Sequence, residues 1–145
     1  MSGFFVKLIS PNNLNQKYDA IALTLLRAFI GLCMAFSHGL GKIPPNEMLI
    51  GGVQGLGFPM PELFAWAAGL AEFAGGLLLA LGLLTRPAAA FVVFTMAVAA
   101  FGAHAADPFA KKEMALLYLF AALFFVIHGA GRWSIDNILS KKGRK

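Results

Sequence analysis

Charge is scarce in this 145-residue chain: Asp, Glu, Lys and Arg together make up 13% of it, against 59% hydrophobic residues. An ordinary soluble domain carries roughly 25% charged residues, so a mean hydropathy of +0.73 excludes a water-soluble fold of this length. Cysteine is almost missing too. The single Cys33 has no partner for an internal disulfide and reads as a small core residue. The chain also lacks a Gly-rich nucleotide fingerprint set between a strand and a helix, the close ligand spacing of a zinc site, and a Ser/His/Asp arrangement. No metal is expected. The apolar stretch 4–9 is broken by Lys7 and falls short of the ~7–15 residues of a cleavable signal core, so the first long apolar run is expected to target the chain itself. The net charge of +5 does not point to nucleic acid. Its basic residues gather at chain ends and short turns, where lipid headgroups are the natural counter-ions.

What the chain does have is four long apolar runs, near residues 20–38, 61–84, 87–104 and 113–129. A bilayer-spanning helix needs ~20 apolar residues, which leaves room for one domain. The first run is expected to stop at Gly39, Gly41 and Pro44-Pro45. A loop from 42 to 61 follows, made flexible by Gly51, Gly52, Gly55 and Gly57 and apolar enough to dip back into the protein. Pro61 opens the second span and Pro87 the third, with a link of only Thr85-Arg86 before it, so these two spans are antiparallel neighbours. The predicted fold class is all-α, a transmembrane antiparallel four-helix bundle. Residues 1–19 form a leader that lies at the membrane surface, 20–139 the membrane domain, and 140–145 a basic tail. Lys7, Lys17, Arg86, Arg132, Lys141, Lys142, Arg144 and Lys145 fall on one side, against Lys42, Lys111 and Lys112 on the other. By the excess of Lys and Arg, both termini are expected to be cytoplasmic.

Two runs carry a full charge in their interior, Arg27 and Glu72. An ionised group at mid-membrane costs on the order of 3 kcal/mol or more unless it has a partner or a task. Thr24, Arg27, Gly31, Met34, Ala35 and His38 recur every three or four residues and so line one side of the first span. Ala65, Ala68, Gly69, Glu72 and Gly76 form a matching stripe of small residues on the second, which turns Glu72 toward the other helices. Two readings stay open. In one, Arg27 and Glu72 form an interhelical ion pair, although a ~1.5 Å rise per residue puts Arg27 about 10 Å from the inner end and Glu72 about 16 Å from the outer. In the other, Glu72 works with His38 or His104, a carboxylate and an imidazole that bind a small molecule entering from the membrane and exchange protons with it. His38 and His104 fall at the same end of the bundle. Two histidines on different helices are also a haem geometry, but haem is the weaker assignment. His128 reads as an interfacial hydrogen-bonding residue.

Leu25-Leu26-Arg27, His38-Gly39, Gly57-Phe58-Pro59, Ala71-Glu72 with Gly75-Gly76, and Leu81-Gly82-Leu83-Leu84-Thr85-Arg86, followed by Gly129-Ala130-Gly131-Arg132-Trp133-Ser134-Ile135-Asp136, together resemble the DoxX family over residues 20–139. Ala130 departs from the pattern, where many members have proline. The resemblance implies a multi-pass protein of the bacterial inner membrane, with relatives linked to quinone-dependent oxidation of sulfur compounds and to membrane oxidoreductase complexes. On that basis the expected function is a membrane subunit of a redox system, a quinone-linked oxidoreductase component, that binds a quinone or a similar apolar molecule. His38, with His104, hydrogen-bonds the ligand; Glu72 handles the proton; Arg27 holds the charge. Besides the lipid bilayer, the expected partners are a redox protein and a second copy of the chain in a homodimer. The alternatives are a non-catalytic membrane scaffold for a partner protein and a small-solute carrier.

Overall fold

Prolines and caps, more than the ends of the apolar runs, set the helix boundaries. The computed structural model of the chain describes residues 16–143, and among these there is helix and turn but no strand. Helix α1, Gln16–Cys33, passes without a break into a π-helical segment, Met34–Gly39, and a 3-10 turn, Leu40–Lys42. The expected stop at Gly39 and Gly41 does not occur, because a glycine weakens a helix by only about 1 kcal/mol. The chain leaves the helix at Ile43, whose extended backbone (φ −126°, ψ 114°) is what a following proline favours. Residues 1–15 of the expected leader lie outside the described residues, and residues 16–19 are the first turn of α1.

The segment expected to be a flexible loop contains helix α2, Glu47–Gly55. Asn46 caps it by accepting a 2.9 Å hydrogen bond from the Leu49 N–H, and contact with the next helix compensates for its glycines. Helix α3 is Pro61–Leu81, α4 is Thr85–Val98 with a π-helical extension Ala99–Ala103, α5 is Phe109–His128, and α6 is Ile135–Lys142. Helix α5 starts four residues before its apolar run, since Lys111, Lys112 and Glu113 are good helix formers. Residues 140–142, expected in a tail, are the last turn of α6.

Among the described residues, three helices are long and apolar enough to cross a membrane: Gln16–Lys42, Pro61–Leu81 and Thr85–Ala103. Helix α5 has 20 residues, about 30 Å at 1.5 Å per residue, with three charged residues near its start. The helices are turned inside out relative to a soluble protein. Their interior is small and partly polar, with Ala35, Ala65, Ala89, Ala100, Ala122, Arg27 and Glu72 buried, while Phe29, Phe91, Phe101, Phe120 and Ile127 are exposed. That distribution suits hydrocarbon as the solvent.

Helices α1 and α3 pack antiparallel, backbone against backbone. A side chain at Gly31 would strike the backbone of Gly76 and Ala80, and one at Gly39 the backbone of Glu72 and Phe73. Glycine at Gly39 is therefore a packing requirement and not a helix stop. Helix α4 lies between α3 and α5, and Met34, Leu79, Val92, Met96, Leu119 and Phe125 fill the space between the helices.

Candidate functional site

Arg27 projects from α1 and is 1% exposed. Its Nη1 donates to the carbonyl oxygens of Leu79 (2.7 Å) and Ala80 (2.8 Å), and its Nη2 to that of Trp133 (2.9 Å). Leu79 and Ala80 belong to the last turn of α3, whose carbonyls have no partner within the helix and carry its negative dipole end. A planar guanidinium with five N–H donors suits this role. Arg27 thus closes the end of a neighbouring helix, and it forms no ion pair with Glu72.

The same end of the molecule holds a reciprocal cap. Leu84 takes a left-handed conformation ahead of α4 and supplies no side-chain cap of its own. Asp136 of α6 fills the gap, with its carboxylate accepting from the N–H groups of Leu84 (2.8 Å) and Thr85 (3.0 Å), while its own N–H donates to the Gly82 oxygen (2.8 Å). Burial by itself would raise the Asp136 pKa; the hydrogen bonds from Thr85 and Leu84 and the nearby Arg27 charge outweigh it and hold the carboxyl below the usual carboxylate range. An anion is placed at a helix N-terminus and a cation at a helix C-terminus, each across a chain turn.

Glu72, also 1% exposed, is held by Lys42: Nζ lies 2.6 Å from one carboxylate oxygen and 2.8 Å from the other. Lys42 is 35% exposed, so the pair links the buried middle of α3 to the surface. His38 is half-buried in the π-helical segment, its ring edge-on to Tyr118 of α5 with centroids 5.1 Å apart. Among the described residues no hydrogen bond reaches the His38 imidazole. His104 follows the π-helical end of α4 and places Nδ1 2.8 Å from Asp107, which Lys111 approaches at 3.4 Å. The hydrogen bond with His104 is the main reason the Asp107 carboxyl lies below its ordinary range, against a smaller desolvation effect and aided by Lys111. His128 is exposed and stacks on Phe124 at 5.1 Å.

Among the described residues, then, no hydrogen bond or ion pair joins any two of Arg27, His38, Glu72 and His104. Clefts of 220 to 580 Å³ are lined by other residues, and among the described residues no three His, Cys, Asp or Glu side chains converge in a metal-binding group. Sequence reasoning missed three functional side chains. The stripe that includes Arg27 and His38 continues, four residues further, to Lys42; that signal was hidden by reading Gly39 and Gly41 as a break. Tyr118 lies within the fourth apolar run and is the ring against His38. Asp136 had no signal beyond its place in a motif.

Apolar helices with lipid-facing phenylalanines and charges folded inward define an all-α integral membrane protein. The DoxX family sequence profile matches residues 22–105, and the chain belongs to the DoxX family. An uncharacterized protein of Haemophilus influenzae is 38% identical over 139 residues, covering 90% of this chain and 99% of the relative. An uncharacterized membrane protein of Mycobacterium tuberculosis is 30% identical over 134 residues, covering 81% of this chain and 80% of the relative. No solved structure matches the chain significantly.

Proposed function

We propose that this DoxX-family chain is the membrane subunit of a quinone-linked redox system, spanning a bacterial inner membrane as an antiparallel four-helix bundle of α1, α3, α4 and α5 with both termini in the cytoplasm. The observation that carries the reading is the His38–Tyr118 contact: two side chains capable of hydrogen bonding meet at 5.1 Å between α1 and α5, with no hydrogen bond to either ring from the described residues. A half-buried imidazole without a partner is costly unless something else provides one. The π-helical turns of α1 and α4 end beside the two histidines, and such turns recur at functional sites.

In this proposal His38 and the Tyr118 hydroxyl hold the polar head of an apolar ligand, and Lys42, one turn beyond His38 on the same helix, is set in place by Glu72. A quinone, when bound, supplies two-electron, two-proton chemistry. The chain's own part is to orient the ligand and to hold or pass protons at the His38 imidazole and the Glu72 carboxylate. Arg27 drops out of the ligand set because its Nη1 and Nη2 are engaged by backbone oxygens, leaving only the buried Nε without a partner, and His104 is engaged by Asp107. Electrons come from a partner protein or a reducing substrate. The test is extraction of the purified protein followed by mass detection of quinone. Wild-type chain should carry it, and His38→Ala and Tyr118→Phe should lose it while remaining folded. Equal quinone in all three would refute the site.

The scaffold reading has an observation of its own. Arg27 and Glu72, the two intramembrane charges, both have partners that hold helices together. Full cellular function in His38→Ala, together with loss of function on removing α6, would favour it.

A further inference from the structure

We infer that helix α6 is an interfacial anchor that lies on the bilayer and binds its anionic surface, separate from the ligand site proposed above. Ile135, Ile138, Leu139 and Lys142 recur every three or four residues and share one side of this eight-residue helix. Asp136, Asn137 and Lys141 lie on the remaining side, which is turned to the bundle. The Asp136 carboxylate caps α4, and Asn137 and Lys141 line a cleft of about 380 Å³ together with Gln16 and Ala20 of α1. The apolar side is left open among the described residues, with Ile138 65% and Leu139 53% exposed. Large aliphatic side chains held outward on a helix whose polar side is engaged call for an apolar cover.

Position identifies the cover as lipid. Helix α3 ends at Leu81 and α4 begins at Thr85, and both cross the membrane, so the turn between them marks a bilayer surface. Asp136 ties the start of α6 to that turn, its N–H donating to the Gly82 oxygen (2.8 Å). Just before α6, Arg132 donates to Gln16 in the opening turn of α1 (2.9 Å). Helix α6 therefore starts at headgroup level, beside the ends of three spanning helices. Its apolar side extends the exposed apolar surface of Leu84 and Trp133, and a tryptophan at this depth is a mark of the lipid interface. Charge selects the kind of lipid. Asp136, the acid of α6, is engaged by backbone N–H groups, whereas Lys141 and Lys142 in its last turn are exposed. Lys142 can lay its stem along the apolar side and carry its ammonium to the headgroups, and lysines at this level favour anionic ones.

The experiment places a nitroxide on the full-length protein at Leu139→Cys or Ser140→Cys, in a Cys33→Ala background that removes the single native cysteine. Each is reconstituted in vesicles of phosphatidylcholine mixed with phosphatidylglycerol, and collisions with oxygen, which partitions into lipid, are compared with those of a water-soluble nickel chelate. The Leu139 probe should meet oxygen and the Ser140 probe the chelate. Lys141→Gln and Lys142→Gln should each lower the docked-to-free ratio at Leu139 about five-fold, the effect of one basic residue near an anionic surface, and phosphatidylcholine alone should lower it further. Lys112→Gln, far from α6 in the sequence, should change nothing. If Cys33→Ala does not fold, Trp133 serves instead in Trp66→Phe: brominated lipid chains should quench it in anionic vesicles, and less after the two lysine changes. The inference fails if the chelate reaches both probes equally, or if docking ignores phosphatidylglycerol and the lysines. A Leu139 probe shielded from both reagents would also refute it, since protein would then cover this side.

Discussion

Replacing Arg27 with methionine keeps the length of the side chain and removes every donor. Three backbone oxygens, of Leu79, Ala80 and Trp133, then lose their guanidinium hydrogen bonds. A buried acceptor left unsatisfied costs about 1–3 kcal/mol, although in membranes such losses average nearer 0.6 kcal/mol because freed groups find other partners. The site limits that relief, because Arg27 is fully buried and its three acceptors come from two separate segments. The Leu79 oxygen keeps the Gly82 N–H (3.1 Å), so taking about 1 kcal/mol for each of the other two oxygens, Arg27→Met should destabilise the chain by about 2 kcal/mol. Arg27→Lys should cost less, since an ammonium can still serve one or two of the oxygens but lacks the planar fork. The assay is unfolding in detergent, followed by circular dichroism as a denaturing surfactant is added. The expected order of stability is wild type, then lysine, then methionine. A methionine variant as stable as wild type would refute the idea that Arg27 fastens α3 and the Trp133 segment to α1. A methionine variant that stays folded but loses quinone alone would return Arg27 to the ligand site.

The Glu72–Lys42 pair should behave differently. Lys42→Met leaves a buried carboxylate without a counter-ion and should cost about 2 kcal/mol, the usual 3–5 kcal/mol for breaking a buried pair being reduced by the partial exposure of Lys42; adding Glu72→Leu should restore most of the loss, and additive effects of the two changes would show that the pair is not coupled. Gly39→Leu should prevent α1 from packing on α3, because any side chain there meets the Glu72–Phe73 backbone; a cost below about 1 kcal/mol in the same assay would contradict the close approach, since overpacking usually costs 1–3 kcal/mol or more. For Asp136 the sign follows from a folded pKa held below the usual carboxylate range. Its contribution is complete above the unfolded value of about 3.9 and is lost as pH falls through the lower folded value. Wild type should therefore lose stability more steeply than Asp136→Asn on acidification below about pH 4, and parallel curves would remove Asp136 from the capping role.

Much of the fold was legible because a bilayer demands long apolar helices, and prolines punctuate them openly. Pro61 marked the start of α3, but the link read at Thr85-Arg86-Pro87 is the first turn of α4, and the α3–α4 turn lies three residues earlier, at 82–84, because Gly82 takes the left-handed conformation that ends α3. The misread points were glycines. Gly39, like Gly31, is a place where the backbones of α1 and α3 touch, whereas Gly51 and Gly52 meet nothing within 4 Å and weaken α2 without preventing it. The partners of the charges were less legible still. Sequence shows that Arg27 and Glu72 each need a counterpart, but the counterparts are backbone carbonyls for one and a lysine 30 positions away for the other, and carbonyls have no signature in a sequence.

The arrangement of charges has a consequence for where chemistry resides. An intramembrane charge is read as functional because it is expensive, yet at the end where α1 begins Arg27 closes α3 from one side and Asp136 opens α4 from the other, so that the α3–α4 turn is held between opposite charges at opposite helix poles. Such a turn resists sliding of α3 against α4. The other end is organised differently. There α1 and α4 loosen into π-helical turns, and His38 and Tyr118 meet without hydrogen bonds to their rings from the described residues. Charge-capped helix ends on one side, and rings without hydrogen bonds beside π-helical turns on the other, match the division that the proposed ligand site needs, because binding regions draw on the less constrained parts of a fold. Substitutions at Arg27 and Asp136 should accordingly move unfolding more than ligand retention, and substitutions at His38 and Tyr118 the reverse.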